Sequence, residues 1–287
     1  MSSKAVSIVI PAKNEEAGLA LLLPELRRQF PDTEIIVVDD GSADGTERVC
    51  REQGTRIIRH PYSMGNGAAI KAGARAAKGE ILVFMDADAQ HHPGDVAKLL
   101  TALGNGYDMA IGARDARSHA SIGRRWANGF YNRLAAWIVG QKVEDLTSGL
   151  RAVHADKFRK FLYLLPNGFS YPTTITMSFF RAGYPVAYVP IFAGKRKGKS
   201  HIRIVHDGFR FILIILKIGT LYAPFKFFLP ISLAFFCTGL SYYLYTYITL
   251  QRFTNMSALL IITAILVFLM GLLSEQISAL NYKDSER

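Results

Sequence analysis

The sequence predicts an α/β domain built on a mostly parallel sheet, followed by a helical hairpin that crosses a membrane. Three observations carry this. Short β-rich apolar runs alternate with helical stretches through the first half, a spacing that implies right-handed crossovers and parallel strands. The run Ile81–Met85 ends on Asp86-Ala-Asp88, and such sheets bind ligands beyond the carboxyl ends of their strands. Two long apolar runs without a charged residue, Phe227–Leu250 and Phe253–Ser274, lie near the other end.

Taken in order, Val6–Ile10 reads as a first strand and Glu16–Gln29 as a helix despite Pro24. Glu34–Val38 reads as a second strand that runs into Asp39-Asp40-Gly41-Ser42. Asp44-Gly-Thr-Glu47 has the pattern of a capping box for a helix over Thr46–Gln53. Thr55–Arg59 is a third strand, Gly65-Asn66-Gly67 opens an Ala-rich helix, and Ile81–Asp86 is a fourth strand. Met109–Gly112 reads as a strand leading to Arg114, and a basic-aromatic helix covers roughly Arg124–Val139. Helices near Ala155–Tyr163 and Thr173–Arg181 precede a last strand, Val186–Ile191.

Composition narrows the function classes. The 287 residues carry a net charge of +11 and are 50% hydrophobic. The first favours anionic partners, whether phosphates or a lipid surface. A nucleic-acid partner is disfavoured, because the basic loop at 194–203 lacks interleaved aromatics and adjoins apolar sequence. Cys50 and Cys237 are too few and too far apart for a disulfide framework or a zinc site. Met1-Ser-Ser-Lys-Ala runs straight into the first strand without the pattern of a signal peptide.

Each apolar run exceeds the roughly 20 residues needed to span a bilayer. The stretch from Ile204 to Tyr222 places His206, Arg210 and Lys217 on one helical face, the profile of a helix lying in the membrane interface. Lys and Arg flank the hairpin on both outer sides, with only Arg252 between the runs. The positive-inside bias therefore places the catalytic domain and the C-terminus in the cytoplasm. The expected organisation is a catalytic domain over 1–203, an interfacial helix over 204–222 and a hairpin over 223–287. Whether the chain forms a homo-oligomer stays open.

The chemistry centres on Asp86, Asp88 and Gln90. Alternate side chains of an extended strand share a face, so these three converge if the chain stays extended. They are hard oxygen ligands suited to Mg²⁺ or Mn²⁺, with substrate phosphates completing the shell. An acidic turn that merely stops the strand is the alternative. Gly65-Asn-Gly-Ala-Ala-Ile70 is not a dinucleotide fingerprint, and no Walker A sequence is present.

Five segments together carry a family resemblance: Ser7–Glu16, Val37–Thr46, Asn66-Gly67, Met85–Gln90 and Ser148-Gly-Leu-Arg151. In this order they resemble the motifs of family-2 glycosyltransferases with the GT-A fold, a Rossmann-like architecture. The subgroup that transfers sugars to polyprenyl phosphates, typified by dolichol-phosphate mannose synthase, is the most similar. The resemblance implies that Pro11, Ala12, Glu15 and Asp40 hold the nucleoside, with Asn66 and Ala87 also at the nucleotide sugar. It implies a metal on Asp86, Asp88 and Gln90, a UDP- or GDP-sugar donor, and inversion at the anomeric carbon. Arg114, Arg124, Arg125 and Asn128 would face the acceptor phosphate. The family's Arg-x-x-Gly-x-Ser loop falls on Lys195–Ser200, where Lys195 replaces the Arg and Arg196 stands one residue along. A phosphate acceptor is already anionic; a hydroxyl acceptor would need a base, for which Asp145 is the candidate. A non-catalytic module for anionic lipids is the competing class, and the Asp86/Asp88 pair argues against it.

Overall fold

The computed structural model describes residues 5–114, 122–168, 171–192 and 219–283. The chain divides into two compact units, Met1–Ala136 with Gln141–Arg203, and Trp137–Gly140 with Ile204–Arg287.

The first unit is an α/β fold around a seven-stranded sheet of order β3-β2-β1-β4-β6-β5-β7. Its strands are β1 (Val6–Ala12), β2 (Glu34–Asp39), β3 (Arg56–Arg59), β4 (Ile81–Phe84), β5 (Met109–Arg114), β6 (Arg151–His154) and β7 (Val186–Ile191). Helices α1 (Glu16–Gln29), α2 (Thr46–Glu52), α3 (Asn66–Ala76), α4 (Gly94–Gly104), α5 (Ile122–Val139), α6 (Ala155–Arg159) and α7 (Tyr171–Arg181) connect them. Ile8–Ile10, Ile36–Val38 and Leu82–Met85 are wholly buried, as expected of central strands covered on both faces.

β6 is the element that the sequence reading lacks. It pairs antiparallel with both β4 and β5, while every other pairing is parallel. The insertion of β6 leaves β4, β5 and β7 running the same way as β1. Their carboxyl ends therefore share one edge. The chain order reverses between β1 and β4, which opens a crevice at that edge.

Two helix ends differ from expectation. Asp44 does not form a capping box with Glu47: its carboxylate accepts from Thr46 N (3.0 Å) and Thr46 Oγ1 (2.6 Å), and also from Glu16 N on α1 (3.2 Å). Glu47 turns instead to Arg51 and Arg59. The loop after β2 thus caps α1 as well as α2, with Glu15 N donating to Thr46 Oγ1 at 3.1 Å. The helix expected to reach Tyr163 stops at Arg159, whose side chain caps α3, donating to Ala74 O (3.0 Å) and Ala77 O (2.6 Å).

In the second unit, residues 219–222 are helical and α8 (Pro224–Leu250) pairs with α9 (Asn255–Lys283). Both are long and apolar enough to cross a membrane. Most of their surface is exposed, including Ile248 at 74% and Leu273 at 65%, unlike helices of a soluble core. Where the two helices meet, small residues permit close approach: a Cβ on Gly239 would lie 2.9 Å from that of Leu260, and one on Gly271 2.7 Å from that of Phe228. Ser232 Oγ donates across the pair to Ala264 O at 2.8 Å. At the opposite end from the Gln251–Thr254 turn, Glu275 accepts from Phe225 N at the start of α8 (3.3 Å). Lys226 donates to Trp137 O (3.1 Å) and Ile138 O (2.9 Å), carbonyls at the end of α5. The rest of the expected interfacial helix lies outside the described residues.

Candidate active site

The site lies at the carboxyl edge between β1 and β4, in a cavity of about 520 Å³. Its first wall comes from β1 and β2. Pro11 and Ala12 end β1, and Ala12 O accepts from Asp40 N (2.8 Å), which ties the exit of β2 to β1. Asp40 then receives four donors: His60 Nδ1 and Met64 N on Oδ1, each at 2.8 Å, and Ser63 Oγ (2.8 Å) and Gly65 N (2.9 Å) on Oδ2. Burial opposes ionisation of Asp40, but these hydrogen bonds outweigh it and hold the carboxyl below its usual range. Asp40 is the clamp of the 63–65 loop, and all its acceptor positions are engaged. Gly41 is required beside it: its φ is 71°, and a Cβ would lie 2.9 Å from Ser63 N.

Asn66 opens α3 and lines the cavity, but the helix N-terminus is not a free anion site. Gly67 N donates to Gly168 O (3.2 Å) and Ala68 N to Asn167 O (2.9 Å). Lys71 reaches the same loop, donating to Leu165 O at 3.1 Å and to Asn167 Oδ1.

The acidic loop forms the opposite wall. β4 ends at Phe84, earlier than predicted, and the chain turns through 87–89, with Ala89 in the left-handed region at φ 55°. Asp86, Ala87 and Asp88 line the first cavity. Gln90 does not; it lines a second cavity of about 600 Å³ together with His91 and His92. The expectation that all three ligands share a strand face fails here because the backbone is a turn and not extended. Gln90 stays linked to the acidic loop through its backbone, donating to Asp88 Oδ1 at 3.2 Å.

Burial also opposes ionisation of Asp86, but His91, whose Nε2 lies 3.6 Å from Asp86 Oδ2, and the charges of Arg114 and Arg151 keep its pKa below the usual range. Gly149 presses against this carboxylate: a Cβ there would fall 2.1 Å from Asp86 Oδ2. Among the described residues, no group of three or more His, Cys, Asp or Glu could hold a metal alone. Two hard carboxylates on one cavity wall, leaving positions for phosphate oxygens, are a donor set that fits Mg²⁺ or Mn²⁺.

Arg114 and Asp145 meet at the edge of this region. Arg114 Nε donates to Asp145 Oδ2 (2.8 Å) and Nη2 to Oδ1 (3.0 Å), a bidentate pair, and Nη2 also reaches Thr147 Oγ1 (2.6 Å). Thr147 N adds a further donor to Asp145 Oδ1 at 3.0 Å. Burial would raise the Asp145 pKa, but Arg114 and the Thr147 amide lower it on balance. Asn132 on α5 holds the loop from outside, donating to Glu144 O (2.5 Å) and accepting from Leu146 N (3.2 Å).

Of the residues proposed from sequence, Pro11, Ala12, Glu15, Asp40, Asn66, Asp86, Ala87 and Asp88 line one cavity. Arg124, Arg125 and Asn128 fall on the first turns of α5, where side chains lie outside the described residues. Lys195, Arg196 and Ser200 lie outside them altogether. The sequence reading missed Lys13, Ser63, Thr147, Gly149 and the start of α7 at Tyr171–Thr173, all of which line the cavity. The Ser148-Gly-Leu-Arg151 motif pointed at this region, but motif order does not say which face a loop presents.

The model of glycosyl transferase family 2 matches residues 7–162, and that of the GtrB C-terminal hairpin matches residues 223–280. The undecaprenyl-phosphate mannosyltransferase of Micrococcus luteus is 31% identical, over 68% of this chain and 86% of the relative. The polyprenol monophosphomannose synthase of Mycolicibacterium smegmatis is 29% identical, over 66% and 77%. Glucosyl-3-phosphoglycerate synthase from Mycobacterium tuberculosis, solved with Mn²⁺, UDP and phosphoglyceric acid, superposes with a TM-score of 0.64 over 76% of this chain and 79% of that one, at 24% identity. A GT-A-like sheet carrying an acidic turn at its β1–β4 crevice, and a family match over more than half of the chain, lead to one conclusion: the protein is a glycosyltransferase of family 2.

Proposed function

We propose that the protein transfers a sugar from a nucleotide sugar to a polyprenyl phosphate at the cytoplasmic membrane face, with inversion and with Mg²⁺ or Mn²⁺. The observation that carries the reading is the convergence of Asp86, Asp88 and the β1–β2 wall on one cavity, in a chain that also holds an exposed apolar hairpin. The relatives named for polyprenyl-phosphate transfer support the acceptor class.

The β1–β2 wall, with Pro11, Ala12, Glu15 and the loop clamped by Asp40, receives the nucleoside. Asp86 and Asp88 hold the metal, which when bound neutralises charge on the departing diphosphate. With the Gly67 and Ala68 amides of α3 already engaged, the diphosphate depends mainly on that acidic wall. A phosphate acceptor needs no proton removed. Asp145 suits this, because Arg114 and Thr147 engage its oxygens and depress its basicity, leaving a poor general base for a hydroxyl. Arg114, Arg124, Arg125 and Asn128, with the cationic loop at Lys195, Arg196 and Ser200, would hold the acceptor phosphate where it meets the bilayer. A polyprenyl chain stays in the bilayer because each buried CH₂ contributes about 0.8 kcal/mol.

The test is to incubate membranes holding the enzyme with radiolabelled UDP- and GDP-sugars and polyprenyl phosphate, with and without EDTA. The expected product is an EDTA-sensitive, lipid-extractable phosphosugar with inverted anomeric configuration. Transfer to a hydroxyl acceptor and none to polyprenyl phosphate would overturn the acceptor assignment. Replacing Arg196 and Lys199 by Gln should raise the Michaelis constant for the lipid at least several-fold, because both cations are proposed to contact its phosphate, and leave that for the donor little changed.

A further inference from the structure

Arg151 opens β6 and is, among the described residues, the largest wholly buried side chain. Its guanidinium reaches two separate segments. Nη2 donates to Ser148 O at 2.5 Å, while Nη1 donates to Pro172 O at 3.1 Å and Thr176 Oγ1 at 3.3 Å on α7. The Tyr171 ring lies 5.5 Å from its Cζ. Among the described residues no carboxylate pairs with it, and its Nε has no hydrogen-bond partner.

A buried, unpaired guanidinium is costly, and an apolar side chain of similar size is often the more stable choice. Besides the field it exerts at Asp86, what the group accomplishes is geometric. Ser148 lies between Thr147 and Gly149 in one stretch of the cavity wall, and Pro172 lies between Tyr171 and Thr173 in another. Gly149 in turn packs so close to Asp86 that a Cβ there would strike the carboxylate. A planar fork with several fixed donors spans both walls at once; a single ammonium does not.

We propose that Arg151 is a positioning residue for the donor: it staples the Thr147–Gly149 wall to the start of α7, and so sets the cavity width at Asp86. This rests on the assignment of the cavity to a nucleotide sugar. The guanidinium does not touch the substrate; it acts through the two carbonyls it holds.

The experiment measures UDP and GDP binding, each with Mn²⁺, by titration calorimetry on the purified full-length protein in detergent, alongside melting temperature. Arg151→Met and Arg151→Lys should each weaken nucleotide affinity about 10-fold or more, as loss of outer-shell support does at metal sites. Phe161→Leu is the control. Phe161 is equally buried but packs on Phe179 and Tyr184 outside the cavity lining, so it should lower the melting temperature without changing affinity. Folded Arg151 variants that melt earlier yet bind like wild type overturn the proposal, as does full recovery in Arg151→Lys, which would make charge alone sufficient. Should neither Arg151 variant fold, Thr176→Val decides: about three-fold weaker binding supports the staple, and unchanged binding overturns it. Wild-type protein that binds neither nucleotide would instead overturn the donor-site assignment itself.

Discussion

Single carboxylates in this site do different work despite similar surroundings. Asp88 lines the cavity, and Asp88→Asn would remove one of the two carboxylates proposed to hold the metal. Transfer should fall about 100-fold or more while the melting temperature stays near wild type; transfer that survives in EDTA would refute the metal role. Asp40 is a clamp, and its depressed pKa links it to stability. The folded carboxyl titrates below its unfolded value of about 3.9, so its contribution is present above that pH and lost as pH falls through the folded value. Wild type should therefore lose melting temperature steeply below about pH 4. Asp40→Asn should be less stable at neutral pH and show a shallower acid slope, read by thermal melts across the pH range.

At the scale of elements, the site depends on backbones brought unusually close. Gly67 lies on α3, where alanine would ordinarily favour the helix by about 1 kcal/mol. A Cβ there would sit 2.0 Å from Pro166 O, so packing reverses the sign. Gly67→Ala should destabilise by roughly 1–3 kcal/mol, measured by denaturant titration of the purified protein. The acidic loop and the Thr147–Gly149 segment are coupled in the same way. Gly149→Ala should displace Asp86 and weaken Mn²⁺-dependent nucleotide binding more than it lowers the melting temperature. Affinity equal to wild type would show that the contact has slack.

For the molecule as a whole, the proposed orientation rests on the residues that flank the hairpin. Arg210, Lys217 and Lys226 precede the hairpin and Lys283 and Arg287 follow it, whereas the turn near Asn255 carries only Arg252. Tyr242, Tyr243, Tyr245 and Tyr247 cluster at the turn end, as aromatic side chains do at a membrane–water boundary. In a variant lacking Cys50 and Cys237, a cysteine placed at Asn255 should react with an impermeant maleimide in intact cells, and one near Arg287 only after permeabilisation. The reverse labelling would invert the orientation.

The sequence alone determined the parallel core, the acidic strand end and the apolar hairpin, because each is a local signal. Buried parallel strands read as unbroken apolar runs, a metal loop needs its carboxylates near one another in the chain, and bilayer-spanning helices need uninterrupted apolar length. Tertiary structure alone decided what depends on distant partners. Arg151–His154 joins the sheet antiparallel between β4 and β5, two strands distant from it in the sequence. Asp40 proved to be saturated by His60, Ser63, Met64 and Gly65, and Asp145 to be neutralised by Arg114, pairings that no spacing rule encodes. Gln90 lines a different cavity from Asp86 and Asp88, after a turn in which Ala89 is left-handed. A period-2 argument holds only while the backbone stays extended, and whether it does is settled by what packs around it.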